Sequence, residues 1–209
     1  MRYWGGPVSG PSLRLAQWQP HVTALNAPRA LHHWLNSRGS LTNKLKDHST
    51  AFRVQCLHQT TARCLADEAA EIGMRRPGRV WEREVLLRCD NTPVVFAHTV
   101  VPMAATASDW PLFSALGDRS LGTTLFGDPQ VRRGPLEFAR LRAGHPLMQR
   151  ARQALGLPEG GAGPAPILYA RRCLYRRHQG LLLVTEVFLP SVLELVIQSK
   201  TITTITNRS

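Results

Sequence analysis

The sequence predicts an α+β fold, a single antiparallel β-sheet with short helices covering one face. Three observations point to it. Residues 80–101 and 167–189 each read as a β-hairpin, and residues 51–58 and 132–142 alternate apolar and polar positions as strands do. The run Leu181–Pro190, LLLVTEVFLP, is too short to span a membrane and fits a strand buried in a sheet. The segments between these strands carry only short stretches of helical spacing.

With 209 residues the chain is long enough for one domain with a real core: residues 26–195, flanked by a flexible N-terminal extension (1–25) and a C-terminal tail (196–209). No segment has the length and apolarity of a membrane span, and no apolar stretch follows Arg2 as in a secretory signal. Cys56, Cys64, Cys89 and Cys173 contain no CxxC pair and suit reduced thiols in a cytoplasmic protein. The formal charge is +12, carried largely by arginine in dispersed pairs such as Arg171-Arg172 and Arg176-Arg177. Such basicity attracts nucleic acid, acidic membrane surfaces or small anions, but no block of basic residues forms a binding tail.

In chain order, Gly5-Gly6-Pro7 and Ser9-Gly10-Pro11 break the first residues into an extension without period. A helix follows from Ala30, with Leu31, Trp34 and Leu35 on one face; adjacent His32 and His33 point apart and do not suit one metal. Ser40 reads as the N-cap of a second helix carrying Leu41 and Leu45. After strand 51–58, residues 62–73 read as a helix ending at Gly73. The first hairpin turns at Cys89–Thr92. Residues 103–116 read as partly helical with Ser108 as a cap, 117–122 as a loop, and 146–155 as a helix. Residues 156–166, GLPEGGAGPAP, form a loop without the spacing of a nucleotide-binding motif. The second hairpin turns over 176–180.

Two residues carry the chemistry. Strand alternation places Arg83 with Trp81, Val85 and Leu87 on the apolar face of its hairpin, and Glu82 and Glu84 on the polar face. A guanidinium on an apolar face stays charged and demands an anion, either a structural partner such as Glu186 or a ligand carboxylate. Glu186 sits in the middle of the apolar run. It is either a paired or proton-handling carboxylate, or part of an edge strand where Thr185 and Glu186 turn out to solvent. There is no nucleophile elbow, no HExxH motif and no metal-ligand cluster in the sequence.

These residues resemble the bacterial chorismate pyruvate-lyases. The matching blocks are Trp34-Leu35 with Ser40-Leu41-Thr42, then Trp81 to Leu87, Thr99-Val100-Val101-Pro102, Leu121-Gly122 with Leu125-Phe126, and Leu181–Pro190. The resemblance implies the fold given above and an enzyme that converts chorismate to 4-hydroxybenzoate and pyruvate, the entry to the ubiquinone ring. By position, Arg83 corresponds to the arginine that holds the ring carboxylate and Glu186 to the glutamate near the ring 4-oxygen. Leu121 and Leu41 would contribute mainly backbone amides. Arg83 and Glu186 are thus the expected catalytic pair, and Arg83, Leu121, Glu186 and Leu41 the substrate-binding set. Where some relatives have Gly-Arg, this chain has Ala97-His98.

The reaction removes a proton from the ring carbon bearing the hydroxyl and expels the enolpyruvyl ether oxygen. Aromatisation drives it, so the resemblance implies no cofactor and no metal. It also implies a monomer whose partners are substrate and product, with no nucleic acid and no integral membrane segment. A non-catalytic effector-sensing domain of the same fold is the first alternative; the matched blocks begin near residue 30, leaving little chain for a DNA-binding module. A basic nucleic-acid-binding protein is the second, and it lacks aromatic residues interleaved with the basic ones.

Overall fold

A computed structural model describes residues 15–157 and 167–195. The first hairpin joins β1's neighbour to the sheet centre: with β1 at Phe52–Arg63, it comprises β2 (Arg79–Cys89) and β3 (Thr92–Pro102). Its two-residue turn holds Asp90 at φ 48° and Asn91 at φ 67°. Both angles are left-handed, as a type I′ turn requires and as Asp and Asn tolerate. Following β4 (Val131–Leu141), the second hairpin comprises β5 (Leu168–Arg177) and β6 (Gly180–Phe188). All pairings are antiparallel, in the order β1-β2-β3-β6-β5-β4.

The β3–β6 pairing joins the two hairpins and makes β6 an interior strand. The edge-strand alternative for Leu181–Pro190 is therefore corrected. Thr185 is 1% exposed and lies on the face opposite Glu186.

The helices are α1 (Arg29–Leu35), α2 (Leu41–Asp47), α3 (Met103–Thr106), α4 (Leu121–Gly127) and α5 (Pro146–Ala154). Leu31, Trp34, Leu35, Leu41 and Leu45 bring α1 and α2 onto Val85, Leu87, Val95 and Phe188 of the sheet. Leu35 and Leu45 are fully buried, each stabilising by about 1.5–3 kcal/mol relative to exposure. On the same face, Ala105, Phe113 and Leu125 pack with Val101 and Tyr175. The opposite face is closed by α5, whose Leu147, Met148 and Ala151 meet Leu86, Phe96 and Val187.

Because both faces are covered, Glu82 and Glu84 are buried as well, and their expected polar face is not a solvent face. Residues 62–73 also differ from expectation: β1 continues to Arg63 and turns follow. Cys64 N donates to Gly78 O at 3.0 Å, and the Glu68 carboxylate takes the Leu65 amide at 2.8 Å, so these groups serve the turn rather than a helical ladder. Helix α3 starts directly after Pro102 and ends before Ser108, which caps no helix. Residues 15–25, expected in a loose extension, lie against the sheet: Gln19 exchanges two backbone hydrogen bonds of 2.8 Å with Phe138, and Val22 and Leu25 are buried. The first fourteen residues, positions 158–166 of the expected loop and the tail from 196 lie outside the described residues. Among the described residues no helix is long and apolar enough to cross a membrane.

Candidate active site

A cavity of about 560 Å³, mouth included, lies between one face of the sheet and the starts of α2 and α4. All four residues expected from the sequence line it: Arg83 from β2, Glu186 from β6, Leu41 and Leu121 as the first residues of α2 and α4. Strand register explains the convergence. Arg83 faces Thr99 on β3, which faces Val184 on β6, and Glu186 is two residues along from Val184 on the same face.

Arg83 is 2% exposed. Its Nη2 donates to the carbonyl oxygens of Gly117 and Arg119 at 2.7 and 2.8 Å, which fixes the loop before α4 above it. Its Nε is buried without a hydrogen-bond partner, and among the described residues no carboxylate pairs with it. Burial lowers the Arg83 pKa, with Cys56 and Asp118 opposing. A charged group in that condition is costly unless an anion arrives.

Glu186 is not the partner of Arg83. Its Oε2 accepts from Arg171 Nε at 2.5 Å, the residue directly opposite it on β5. Arg171 Nη1 donates in addition to the carbonyl oxygens of Trp34, Leu35 and Ser37, at 3.3, 3.1 and 2.7 Å. These carbonyls lie at and just past the end of α1, where backbone acceptors lack helical partners and a cation is favourable. Arg171 thus fastens α1 to the sheet and holds one oxygen of Glu186. No other partner of Glu186 is present among the described residues.

Two further cavity residues escaped the sequence reading. Arg133 on β4 and Tyr175 on β5 face each other in register and both line the cavity. Burial pushes the Tyr175 hydroxyl pKa well up, with Cys173 and Glu186 adding to the effect, so the phenol is neutral. Arg133 donates from Nη1 to Arg38 O and stands over the Phe126 ring, 5.5 Å from its centre. The signal that would have found Arg171 is the exact hairpin register, because a one-residue change in the turn moves it to the other face.

The two helix starts are tied together. Thr42 Oγ1 and Ser120 Oγ share a hydrogen bond of 2.7 Å, and a Cβ on Gly122 would come within 3.0 Å of that Thr42 oxygen. Glycine at 122 lets α4 close on α2 at the cavity wall. The first-turn amides of both helices, including those of Leu41 and Leu121, have no intrahelical acceptor.

His98 does not reach the cavity; Ala97 does. On the opposite face His98 is fully buried among acids, with Nε2 2.9 Å from Glu68 Oε1, off the line of a hydrogen bond, and Nδ1 3.2 Å from Glu84 Oε1. Burial alone depresses its pKa, but Glu68, Glu84 and Glu82 outweigh burial and push it up to about 10. Arg150 of α5 pairs with Glu82 and Glu84 at 2.9 and 2.6 Å. Ligand atoms of Glu82, Glu84 and His98 lie within 4.8 Å of one another, a grouping the sequence reading did not find. Arg150 and the imidazolium already supply positive charge there. Several of the paired arginines are likewise internal: Arg172 is 5% exposed and pairs with Glu71 and Glu137.

The family model for chorismate lyase matches residues 12–197. The chain belongs to the chorismate lyase family. A probable chorismate pyruvate-lyase of Cupriavidus metallidurans is 46% identical over 179 residues, covering 85% of this chain and 82% of that protein. A protein of the same description from Nitrosomonas europaea is 43% identical over 172 residues, covering 82% and 93%. Among solved structures, gene product SA0254 from Staphylococcus aureus superposes with a TM-score of 0.51 at 11% identity, covering 79% of this chain and 97% of that one. The effector domain of PhnF from Mycobacterium smegmatis gives 0.50 at 13%, covering 74% and 91%. At such identities the likeness shows a shared fold alone.

Proposed function

We propose that this protein converts chorismate to 4-hydroxybenzoate and pyruvate. One observation carries the proposal: Arg83, without a carboxylate partner among the described residues, and Glu186, with one oxygen uncommitted among them, line the same cavity. The cavity wall holds three guanidiniums, Arg83, Arg133 and Arg171, against one carboxylate. Its charge suits a dianion, and chorismate carries two carboxylates. The names of the relatives support the same substrate.

In this reading Arg83 takes the ring carboxylate, with the Leu41 and Leu121 amides beside it. Glu186 Oε1 accepts from the 4-hydroxyl, while Arg171 fixes the other oxygen. The ring is then held at two opposite ends, and the hydrogen on the carbon bearing the hydroxyl is aimed at a defined wall. Loss of that proton and departure of the enolpyruvyl oxygen leave an aromatic ring and enolpyruvate, which becomes pyruvate on taking up a proton. The positive wall stabilises charge developing on the departing oxygen. A buried pocket shaped to a planar acid also retains product, so release is expected to be slow. In the family setting the 4-hydroxybenzoate would enter ubiquinone synthesis, and the protein would act as a cytoplasmic monomer without a cofactor.

The test is kinetic. Arg83→Ala and Glu186→Ala are each expected to lower kcat/KM for chorismate by about 100-fold or more with the fold retained. Near wild-type turnover in either folded variant removes that residue from the mechanism.

A further inference from the structure

Two cavity arginines lack a carboxylate partner among the described residues, Arg83 and Arg133. Arg171 is spent on Glu186 and three carbonyls. The substrate assigned above has two carboxylates, one on the ring and one on the enolpyruvyl side chain. Resting on that reading, we propose that Arg133 binds the side-chain carboxylate and so forms the pyruvate end of the site.

The two ends of the cavity are distinguishable. Arg83 lies under the loop that leads into α4, bound to Gly117 and Arg119. Arg133 comes from β4, on the far side of β6 from the β2 that carries Arg83. Its Nη1 donates to Arg38 O, and the adjacent carbonyl, Ser37 O, accepts from the Arg171 that holds Glu186. The two guanidiniums therefore meet neighbouring carbonyls of one turn. Electrostatics agree: burial draws the Arg133 pKa down, but Tyr175, Cys173 and Glu186 hold it up, whereas the groups that hold up Arg83 are Cys56 and Asp118. Among the described residues, Arg133 is the cavity guanidinium that feels Glu186 and has no carboxylate partner.

The substrate has the same polarity. Its ring carboxylate and 4-hydroxyl lie at opposite ends of the ring. The enolpyruvyl ether is attached to the carbon next to the one bearing the hydroxyl. With the hydroxyl at Glu186 and the ring carboxylate at Arg83, the side chain projects from the Glu186 end. The buried Nε of Arg133, which has no hydrogen-bond partner among the described residues, is a donor left for its carboxylate. Phe126 under the guanidinium and the Arg38 carbonyl keep the group in place without neutralising it.

The experiment uses two ligands that differ in this carboxylate. For wild type, R133Q and R133K, KM is measured with chorismate and Kd with 4-hydroxybenzoate, which has only the ring carboxylate. R133Q is expected to raise KM for chorismate about 10- to 100-fold, the range for one charge-assisted hydrogen bond, and to leave Kd for 4-hydroxybenzoate within about threefold. R133K keeps the charge and is expected to recover most of the chorismate affinity; if R133Q does not fold, R133M takes its place with the same expectation. An unchanged chorismate KM in the neutral variant overturns the proposal. So does an equal loss for both ligands in that variant. In either case a wild type active on chorismate leaves the lyase reading standing. Wild-type protein that neither binds 4-hydroxybenzoate nor consumes chorismate overturns both.

Discussion

Raising the pH from 6.5 to 8 should weaken this protein through His98. The imidazole is fully buried against Glu68 and Glu84, and its pKa is pushed from 6.5 to about 10. A group raised in the folded state stabilises fully below its unfolded pKa, and that contribution fades as pH climbs toward the folded value. Across the whole interval the ceiling is about 5 kcal/mol, counted once for His98 and the acids that hold its proton. The usable window is narrower. Lys44 has its pKa lowered to about 8, mainly by burial and also by Arg171, so its titration acts in the opposite direction above that pH. The buried thiols of Cys64, Cys89 and Cys173, raised chiefly by burial, begin to matter higher still. Between pH 6.5 and 8 the slope steepens from about 0.7 to about 1.4 kcal/mol per pH unit, because the unfolded imidazole is half protonated at 6.5, and the loss is about 1.6 kcal/mol. Reversible urea unfolding followed by tryptophan fluorescence reads it directly. His98→Gln should be less stable by about 3–5 kcal/mol at pH 6.5, because the buried acids lose a countercharge, and should have no such slope. A flat wild-type profile, or the same slope in H98Q, would refute the charged imidazole.

Other perturbations test the cavity walls. Arg171→Met strands Glu186 and the carbonyls at the end of α1, and urea melts should show a loss of about 3–5 kcal/mol. Adding Glu186→Gln should return part of that loss, and strictly additive effects would contradict the ion pair. Glu186→Gln alone should weaken binding of 4-hydroxybenzoate about tenfold and leave benzoate nearly unchanged, read by calorimetry. Gly122→Ala pushes a Cβ toward Thr42 Oγ1 at 3.0 Å, so KM for chorismate should rise about threefold or more; an unchanged KM would show that the joined helix starts do not shape the site.

Much of the sheet was legible because its hairpins carry strong local signals. Asp90-Asn91 turns the first one, and the apolar run 181–190 could only be an inner or an edge strand. Arg83 was placed on the correct face by alternation alone, and Arg83 and Glu186 together by resemblance. What alternation did not reveal was that both faces are covered. Glu82 and Glu84 read as solvent-facing acids, yet α5 lies over them and Arg150 and His98 supply their charge. The burial of the arginine pairs was hidden for a related reason. Arg171 and Arg172 are adjacent, so strand alternation sends them to opposite faces, one to Glu186 and one to Glu137 and Glu71. Neither destination exists in a local window; each needs the register between β5, β6 and β4. Residues 62–73 failed because β1 runs on to Arg63 and a tertiary hydrogen bond holds Cys64 to Gly78, which overrode a helical composition.

The most direct measurement is a stoichiometric one. Purified protein is mixed with chorismate, 4-hydroxybenzoate is followed by absorbance, and pyruvate is assayed in the same sample. Equal amounts of the two products, formed at the expense of chorismate, are expected from wild type, with the rate largely lost in Arg83→Ala. Chorismate that stays intact in the presence of folded wild-type protein, or its conversion to another isomer without pyruvate, would contradict the assignment.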